Sequence, residues 1–220
     1  MSVQTLPYVE VNPKSQAKAT VIWLHGLGDS GNGFAPIVPD LKLPDELGIR
    51  FVFPHAPMRP VTINNGMTMR AWYDITSLDF NNRADSQGVK ESSDLVADLI
   101  ETEIAQGIPA NKIVLAGFSQ GGVIALNLGT RFEKSLAGVM SMSSYMSEPE
   151  KLRDEAHAAN KNTPVSHMSA HITNTNTPVL HMSAHITNTN TPVLHMSSHI
   201  TNTNTNTNTP VLHMSAHIKI

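Results

Sequence analysis

The chain contains no cysteine among its 220 residues. This absence excludes a disulfide framework, a thiolate zinc site and a cysteine nucleophile, and it leaves the cellular compartment open. Charge is also scarce, because only 15% of the residues are charged and the formal net charge is -3. A charge so close to neutral gives no electrostatic footprint for nucleic acid or for an anionic membrane surface.

Long apolar runs are absent as well. No stretch approaches the roughly 20 apolar residues that a transmembrane helix requires. The first residues, MSVQTLPY, have neither the basic region nor the apolar region of a signal peptide. The expectation is therefore a soluble, cytoplasmic protein without a membrane span. Its length suits one domain of the larger kind, able to bury a core.

A 14-residue repeat occupies the last quarter of the chain, where residues 163–176 read TPVSHMSAHITNTN and residues 177–190 read TPVLHMSAHITNTN. Eight of the eleven histidines lie in this segment, whereas the last acidic residue of the chain is Glu155. Asparagine is depleted in strands and threonine is a poor helix former, so the Thr-Asn runs specify little regular structure. We predict a globular core over residues 1–162 and a low-complexity tail over residues 163–220, which at best adds a strand or two to the sheet edge.

Strand and helix signals alternate in the globular part. Short apolar runs predict buried parallel strands over residues 19–24, 49–53, 113–116 and 136–140. Apolar residues at helical spacing predict helices over residues 93–107, 121–132 and 148–160. Strands that alternate with helices of this length favour an α/β fold, in which a parallel sheet is covered on both faces.

The sequence Gly117-Phe-Ser119-Gln-Gly121 is a G-x-S-x-G motif that follows one predicted strand directly and opens a predicted helix. This is the placement of a nucleophile elbow, a strained turn that holds a serine at the carboxyl end of the sheet and the N-terminus of a helix. The alternative is a glycine-rich turn with an incidental serine. An elbow also needs an oxyanion hole, for which Gln120 supplies one backbone amide and the His25-Gly26 loop after an earlier strand supplies a second.

Three segments resemble the carboxylesterase and acyl-protein thioesterase family of α/β-hydrolases: LHGLGDSG (24–31), PHAPMRPVTINNGMTMRAWYDI (54–75) and AGFSQGGVIAL (116–126). The resemblance covers about residues 5–165 and implies a three-layer α/β-hydrolase fold whose C-terminal strands and helix are incomplete here. It also implies a serine hydrolase that acts on small carboxylic esters or thioesters without a cofactor.

The resemblance carries family roles to individual residues. Ser119 matches the nucleophile, and the backbone amides of Leu27 and Gln120 match the oxyanion hole. Met69 and Trp72, together with Pro57, fall in the loop region that lines the acyl site of the family. For Trp72, ordinary core packing is an equal alternative.

In the family, the serine acts in a catalytic triad with an acid and a histidine base. For these other two members, the chain departs from the family pattern. The family places its acid a few residues after the strand that matches residues 163–168, yet no aspartate or glutamate occurs from there to the end of the chain. The family base lies in a late Gly-His dipeptide, and none occurs after Ser119. By separation alone, His199 lies nearest to the expected place, although any of the eight repeat histidines remains an alternative. We therefore expect impaired activity.

Other acids and histidines of the globular part have simpler interpretations. Glu148 and Glu150 follow the predicted strand 136–140 and could replace the acid, but a charged first turn of a helix is favoured. His25 and His55 each follow a strand end, and for both we favour a structural, hydrogen-bonded histidine over a catalytic base.

Two further classes of function remain open. Without a working base, the chain is a non-catalytic remnant or binding module of the same fold. The repeated His-x-x-x-His pairs suggest instead a histidine-rich metal-binding protein, since both rings of a pair share one face of a helix or strand. No carboxylate or cysteine completes a ligand set in the repeats, so we predict no dedicated metal site.

Overall fold

The computed structural model describes residues 6–77, 84–172 and 180–184. Within these ranges the strands are β1 (Tyr8–Val11), β2 (Ala19–Leu24), β3 (Ile49–Pro54), β4 (Met58–Val61), β5 (Met67–Arg70), β6 (Ile113–Phe118), β7 (Gly138–Met142), β8 (Val165–Ile172) and β9 (Leu180–Ala184). The α-helices of the same ranges are α1 (Gly31–Phe34), α2 (Ser86–Ala105), α3 (Gln120–Arg131) and α4 (Leu152–Glu155).

The main sheet has the strand order β1-β3-β2-β6-β7-β8-β9. Its five central strands run parallel, while β1 pairs antiparallel with β3 and β9 pairs antiparallel with β8. The strands β4 and β5 form a separate antiparallel hairpin. In the main sheet, parallel pairing brings the carboxyl ends of β2, β6 and β7 to one edge, which is where ligands bind in open α/β sheets.

Alternating side chains cover both faces of the sheet, as the period of two along a strand requires. In β2, the buried side chains of Ile22 and Leu24 join the cluster that contains apolar residues of α2 and α3. Trp23 points to the other face and packs with Phe34 and the segment that follows α1. The predicted α/β fold, with a mostly parallel sheet between two helical layers, is confirmed.

The predicted helix over residues 148–160 is wrong. Only α4 is α-helical there, and it lies between two short 3₁₀ turns. Glu148 has a positive φ of 48°, and the chain becomes extended again at Ala156 after a single turn. Within this segment Leu152 is the one large aliphatic side chain, so the segment has no apolar stripe that would fix a longer helix against the core.

The first repeat copies contribute strands to the sheet. β8 lies in the copy at 163–176 and pairs in parallel with β7, and β9 lies in the copy at 177–190. The boundary at residue 163 and the expected loss of the C-terminal helix stay predictions, because residues 185–220 lie outside the described residues. No helix in the described ranges has the length and apolar character needed to cross a membrane.

Candidate active site

Ser119 lies at the junction of β6 and α3, where its backbone has φ 52° and ψ -117°. Non-glycine residues rarely adopt a positive φ, and such a conformation costs about 1–3 kcal/mol unless the surroundings impose it. Here the Ser119 amide donates to the carbonyl of Met142 on β7 at 2.9 Å, and the Ser119 carbonyl accepts from Gly122 at 3.0 Å. The turn is therefore held from both sides.

Both glycines of the motif are required by close backbone approach. A Cβ on Gly117 would lie 2.2 Å from the carbonyl oxygen of Gly121, across the turn. A Cβ on Gly121 would lie 2.3 Å from the carbonyl oxygen of Leu24 at the end of β2. The spacing G-x-S-x-G thus allows α3 to start directly against the sheet, with Ser119 at the tip of the turn.

The loop after β2 lies beside Ser119 because β2 and β6 are neighbours, with Leu24 opposite Gly117. A Cβ built on Gly26 would lie 3.5 Å from Ser119 Cβ and 3.2 Å from Phe118 Cδ1. Gly28 has φ 78°, and its amide donates to the Arg70 carbonyl at 2.8 Å, which fixes the loop to β5. The loop that carries Leu27 therefore contacts the serine turn.

The two predicted oxyanion-hole amides belong to this junction. The amide of Gln120 starts α3, and the amide of Leu27 lies in the adjoining loop. Within the described part of the chain, neither amide donates to another protein atom. Two backbone donors beside a serine are what an oxyanion hole requires, and the start of α3 adds the favourable end of the helix dipole.

His25 is held as a structural histidine. Its ring is 1% exposed, with Nδ1 2.7 Å from the Gly26 carbonyl oxygen. A carbonyl oxygen only accepts, so Nδ1 carries the proton, and Nε2 accepts the Ala56 amide at 3.0 Å. Burial lowers the pKa of His25 below its ordinary value. Both ring nitrogens are occupied, so the structural interpretation of this residue is confirmed.

His55 also binds backbone, since its Nδ1 accepts the amide of Gly31 at 3.1 Å. Burial, followed by the nearby guanidinium of Arg70, lowers the pKa of His55. This bond ties the end of β3 to α1, so the structural interpretation of His55 is confirmed as well.

A buried hydrogen-bond network links the serine turn to its neighbouring loops. The Gln120 side chain accepts the Trp72 amide at 3.0 Å and donates to the Tyr73 carbonyl at 2.8 Å. The Trp72 indole then donates to the His25 carbonyl at 2.9 Å. Sequence reasoning used only the amide of Gln120 and missed its side chain, because a glutamine in a first helical turn is ordinarily exposed.

The residues predicted to line the acyl site lie in different surroundings. Trp72 is fully buried in the core, which agrees with the core-packing alternative. Met69 is half-buried, and its sulfur lies 3.8 Å from the position a Cβ on Gly28 would occupy. Pro57 lines a cavity beside α2. Sequence reasoning missed Phe118, whose ring is 40% exposed beside Ser119 and Gly26.

No catalytic base is identified among the described side chains. Within the described ranges, neither a histidine nor a carboxylate hydrogen-bonds to Ser119 Oγ. His167 on β8 lies opposite Ser141 of β7, with Nδ1 3.3 Å from Ser141 Oγ. Ser141 is in turn opposite Gly117, so His167 lies two strands away from β6. The candidate base His199 lies outside the described residues.

The two alternative acids lie in the broken segment after β7. Glu148 Oε1 is 2.5 Å from Lys151 Nζ, and this lysine holds the pKa of Glu148 below its ordinary value. Glu150 is exposed. Among the described residues, neither glutamate is bonded to a histidine, and no cluster of three or more potential ligands could hold a metal ion.

The comparisons with known proteins agree with this architecture. The sequence model of the phospholipase/carboxylesterase family matches residues 7–214. Acyl-protein thioesterase 1 of Schizosaccharomyces pombe is 40% identical over 157 residues, which cover 71% of this chain and 69% of that protein. Acyl-protein thioesterase 1 of Cryptococcus neoformans is 41% identical over 167 residues, 73% of this chain and 68% of that protein.

Solved structures give the same result. The crystal structure of Arabidopsis thaliana SOBER1 aligns with a TM-score of 0.64 at 32% identity, over 68% of this chain and 72% of that one. The crystal structure of Zea mays acyl-protein thioesterase 2 aligns with a TM-score of 0.60 at 31% identity, over 68% of this chain and 66% of that one. The chain therefore belongs to the phospholipase/carboxylesterase family of α/β-hydrolases and is, at the level of that family, a carboxylic ester hydrolase.

Proposed function

We propose that this chain is a serine hydrolase that cleaves small acyl esters or thioesters through an acyl-enzyme on Ser119, at a rate reduced by the loss of the family acid and base. The observation that carries this proposal is the backbone of Ser119, whose φ of 52° and ψ of -117° lie outside the left-handed helical region that Lys42, Asn65 and Glu148 adopt. A strained non-glycine residue persists only where its surroundings impose it, and such residues cluster at functional sites.

In the proposed reaction, Ser119 Oγ forms a bond to the carbonyl carbon of the substrate. The amides of Leu27 and Gln120 stabilise the negative charge that develops on the carbonyl oxygen. The bond to the alcohol or thiol then breaks, and the leaving group takes up the serine proton through water. A second water attacks the acyl-enzyme, which releases the carboxylic acid and restores the serine hydroxyl.

The proposed substrate has an acyl group followed by an ester or thioester. Two apolar side chains, Phe118 and Met69, flank the loop of Leu27 and suit a hydrocarbon chain. Several relatives of this chain are acyl-protein thioesterases, which supports a thioester as the bond that is cleaved. His199 stays the predicted base.

A fluorophosphonate probe tests the nucleophile, because it labels activated serines. We expect slow labelling of the full chain that is lost in Ser119→Ala and unchanged in Ser15→Ala, a control that removes an exposed hydroxyl. Hydrolysis of p-nitrophenyl butyrate and of butyryl thiocholine by the same three proteins then measures ester against thioester preference. Equal labelling and equal hydrolysis by the parent and Ser119→Ala would replace this proposal with the non-catalytic binding module.

A further inference from the structure

A second concave site lies between the base of the β4–β5 hairpin, the segment after β3 and the exposed side of α2. It is a solvent-open cavity of about 380 Å³. Its walls include the apolar side chains of Leu6, Pro57 and Leu95 and the charged side chains of Arg59, Arg70 and Glu91. None of its lining residues belongs to the serine turn or to the loop of Leu27. The cavity adjoins that loop, because the Arg70 carbonyl accepts the Gly28 amide and because Pro57 is one of the residues that the family resemblance places near the acyl site.

The two guanidinium groups of this cavity form no direct ion pair. Within the described residues, neither Arg59 nor Arg70 lies within salt-bridge distance of a carboxylate. The Nε atom of Arg59 is buried and has no hydrogen-bond partner. Arg70 Nη1 donates to the Ala56 carbonyl at 2.9 Å, which leaves its other donors for a ligand. Because Arg59 Nε has almost no accessible surface, an anionic acceptor in the cavity would pair with the terminal nitrogens of the two guanidinium groups.

The negative groups around the cavity limit the charge of that anion. Glu91 lies at the rim, where its carboxylate accepts from Gln87 at 3.0 Å. Asp85 caps α2 through the Gln87 amide at 3.1 Å, and its carboxylate also lies near Arg59, since a Cβ on Gly88 would be 2.6 Å from Asp85 Oδ2 and 2.9 Å from Arg59 Nη1. The two cations therefore face Glu91 at the rim and Asp85 beside Arg59, and this balance favours an anion of charge one over a dianion, which both carboxylates would repel.

We propose that this cavity binds an amphiphilic organic monoanion, a carboxylate with a short hydrocarbon chain. A planar carboxylate matches the fork of a guanidinium in a bidentate pair. The apolar wall would bury the chain, and the cavity volume is within the range of small-molecule sites. The proposal concerns a binding site outside the serine turn and holds whether or not Ser119 is reactive.

Isothermal titration of the full chain with sodium octanoate tests the proposal. We expect one saturable event that weakens at least about ten-fold in Arg59→Gln, since a charge-assisted bidentate contact is lost. Glu91→Gln should tighten binding several-fold, because it removes the repulsive carboxylate and keeps a partner for Gln87. Arg153→Gln, which removes an exposed arginine on α4, is the matched control and should bind like the parent.

Two further ligands identify the chemistry that is recognised. Octanol tests the hydrocarbon chain alone and should bind much more weakly, while hexyl phosphate tests a dianion and should bind less tightly than octanoate. Binding that is equal in the parent, Arg59→Gln and Glu91→Gln would overturn the proposal and assign the event to another site, including the Ser119 turn. The same holds if octanol binds as tightly as octanoate. Circular dichroism verifies that each variant is folded, and Glu91→Gln, an exposed position, keeps the test valid if Arg59→Gln does not fold.

Discussion

Gln120 shows how a single side chain organises the candidate active site. It is 1% exposed, and its amide group satisfies one backbone donor and one backbone acceptor of the segment after β5. Gln120, the residue after Ser119, therefore anchors the wall of the site, because the two ends of its side-chain amide bind different partners. Only a group that accepts at one end and donates at the other can replace it.

Replacing Gln120 by glutamate tests this arrangement. A protonated glutamate can still donate to Tyr73 and accept from Trp72, whereas an ionised one places a buried charge against the Tyr73 carbonyl oxygen. The folded state should therefore raise the pKa of the new carboxyl. The stability deficit relative to the parent should grow by about 1.4 kcal/mol for each pH unit above roughly 4.3, until the raised pKa is passed.

Urea unfolding of Gln120→Glu and of the parent at pH 5 and pH 8 gives this deficit. Gln16→Glu, at an exposed glutamine, is the matched control and should show no such growth. A deficit of the same size at both pH values would mean that the Gln120 side chain does not carry the two hydrogen bonds.

Two histidines, the buried His25 and the half-buried His55, predict acid sensitivity in the whole protein. The pKa values of His25 and His55 are both lowered, so the unfolded chain binds their protons more readily than the folded chain. The contribution of these groups to the free energy of unfolding should be complete above pH 6.5 and should fall as the pH drops below that value. The fall is at most about 1.4 kcal/mol per pH unit for His25, and it is smaller for His55, which solvent screens.

Urea midpoints of the parent between pH 7.5 and pH 5.5 measure this slope. His55→Gln keeps an acceptor for the Gly31 amide and should flatten the slope, whereas His157→Gln, at an exposed histidine, should leave it unchanged. A parent whose midpoint stays constant over this pH range would contradict the neutral, hydrogen-bonded state of His25.

At the scale of elements, the contact between β6 and α3 depends on the absence of a side chain. Gly121→Ala would place a Cβ 2.3 Å from the Leu24 carbonyl oxygen, and backbone cannot give way as a flexible side chain can. We expect a loss of about 3 kcal/mol or more in the free energy of unfolding, together with loss of labelling at Ser119.

Gly138→Ala on β7 is the matched control for this loss. Gly138 is also buried, but a Cβ there meets only the Pro164 carbonyl oxygen at 3.5 Å, an ordinary contact. Thermal unfolding should therefore show a small change for Gly138→Ala and a large one for Gly121→Ala. Equal changes for the two variants would mean that the tight approach of α3 is not required.

Elements were predictable from the sequence where apolar periodicity and glycine signals coincided. The strands β2, β3 and β6 were found, because each is a short apolar run that ends at a turn residue. The strand β1 was missed, since Tyr8–Val11 is half-exposed and becomes a strand only by pairing with β3. The helix predicted over 148–160 failed for the related reason that its residues lack an apolar face.

At the scale of the whole molecule, catalysis requires residues from parts of the chain far from Ser119. The loss of a triad acid costs on the order of 10⁴ in kcat, and the loss of the base adds little because the three residues act as a unit. We expect hydrolysis of p-nitrophenyl butyrate at about this factor below the Schizosaccharomyces pombe relative. The contribution of the two oxyanion amides should remain, so the parent should still exceed Ser119→Ala.

Variants in which the repeat histidines are changed in pairs to glutamine complete this comparison. If none of these histidines acts as a base, each pair should leave the rate unchanged. A parent with the full rate of the relative, or a rate that falls when His199 is replaced, would show that the repeats supply a working base.

The sequence alone determined the family, the α/β class and the position of Ser119, because these depend on local signals: apolar runs, two glycines and a serine at fixed spacing. Only the tertiary structure decided which atoms surround that serine. The network of Gln120 and Trp72 joins residues 47 or 48 positions apart, and His25 Nε2 accepts the amide of Ala56, which lies 31 positions further along the chain. The absence of a direct ion pair at Arg59 and Arg70 depends likewise on which carboxylates the fold brings near them. Such contacts are set by the pairing of β2, β3 and β6 and the packing of α2 and α3, and no local pattern records them.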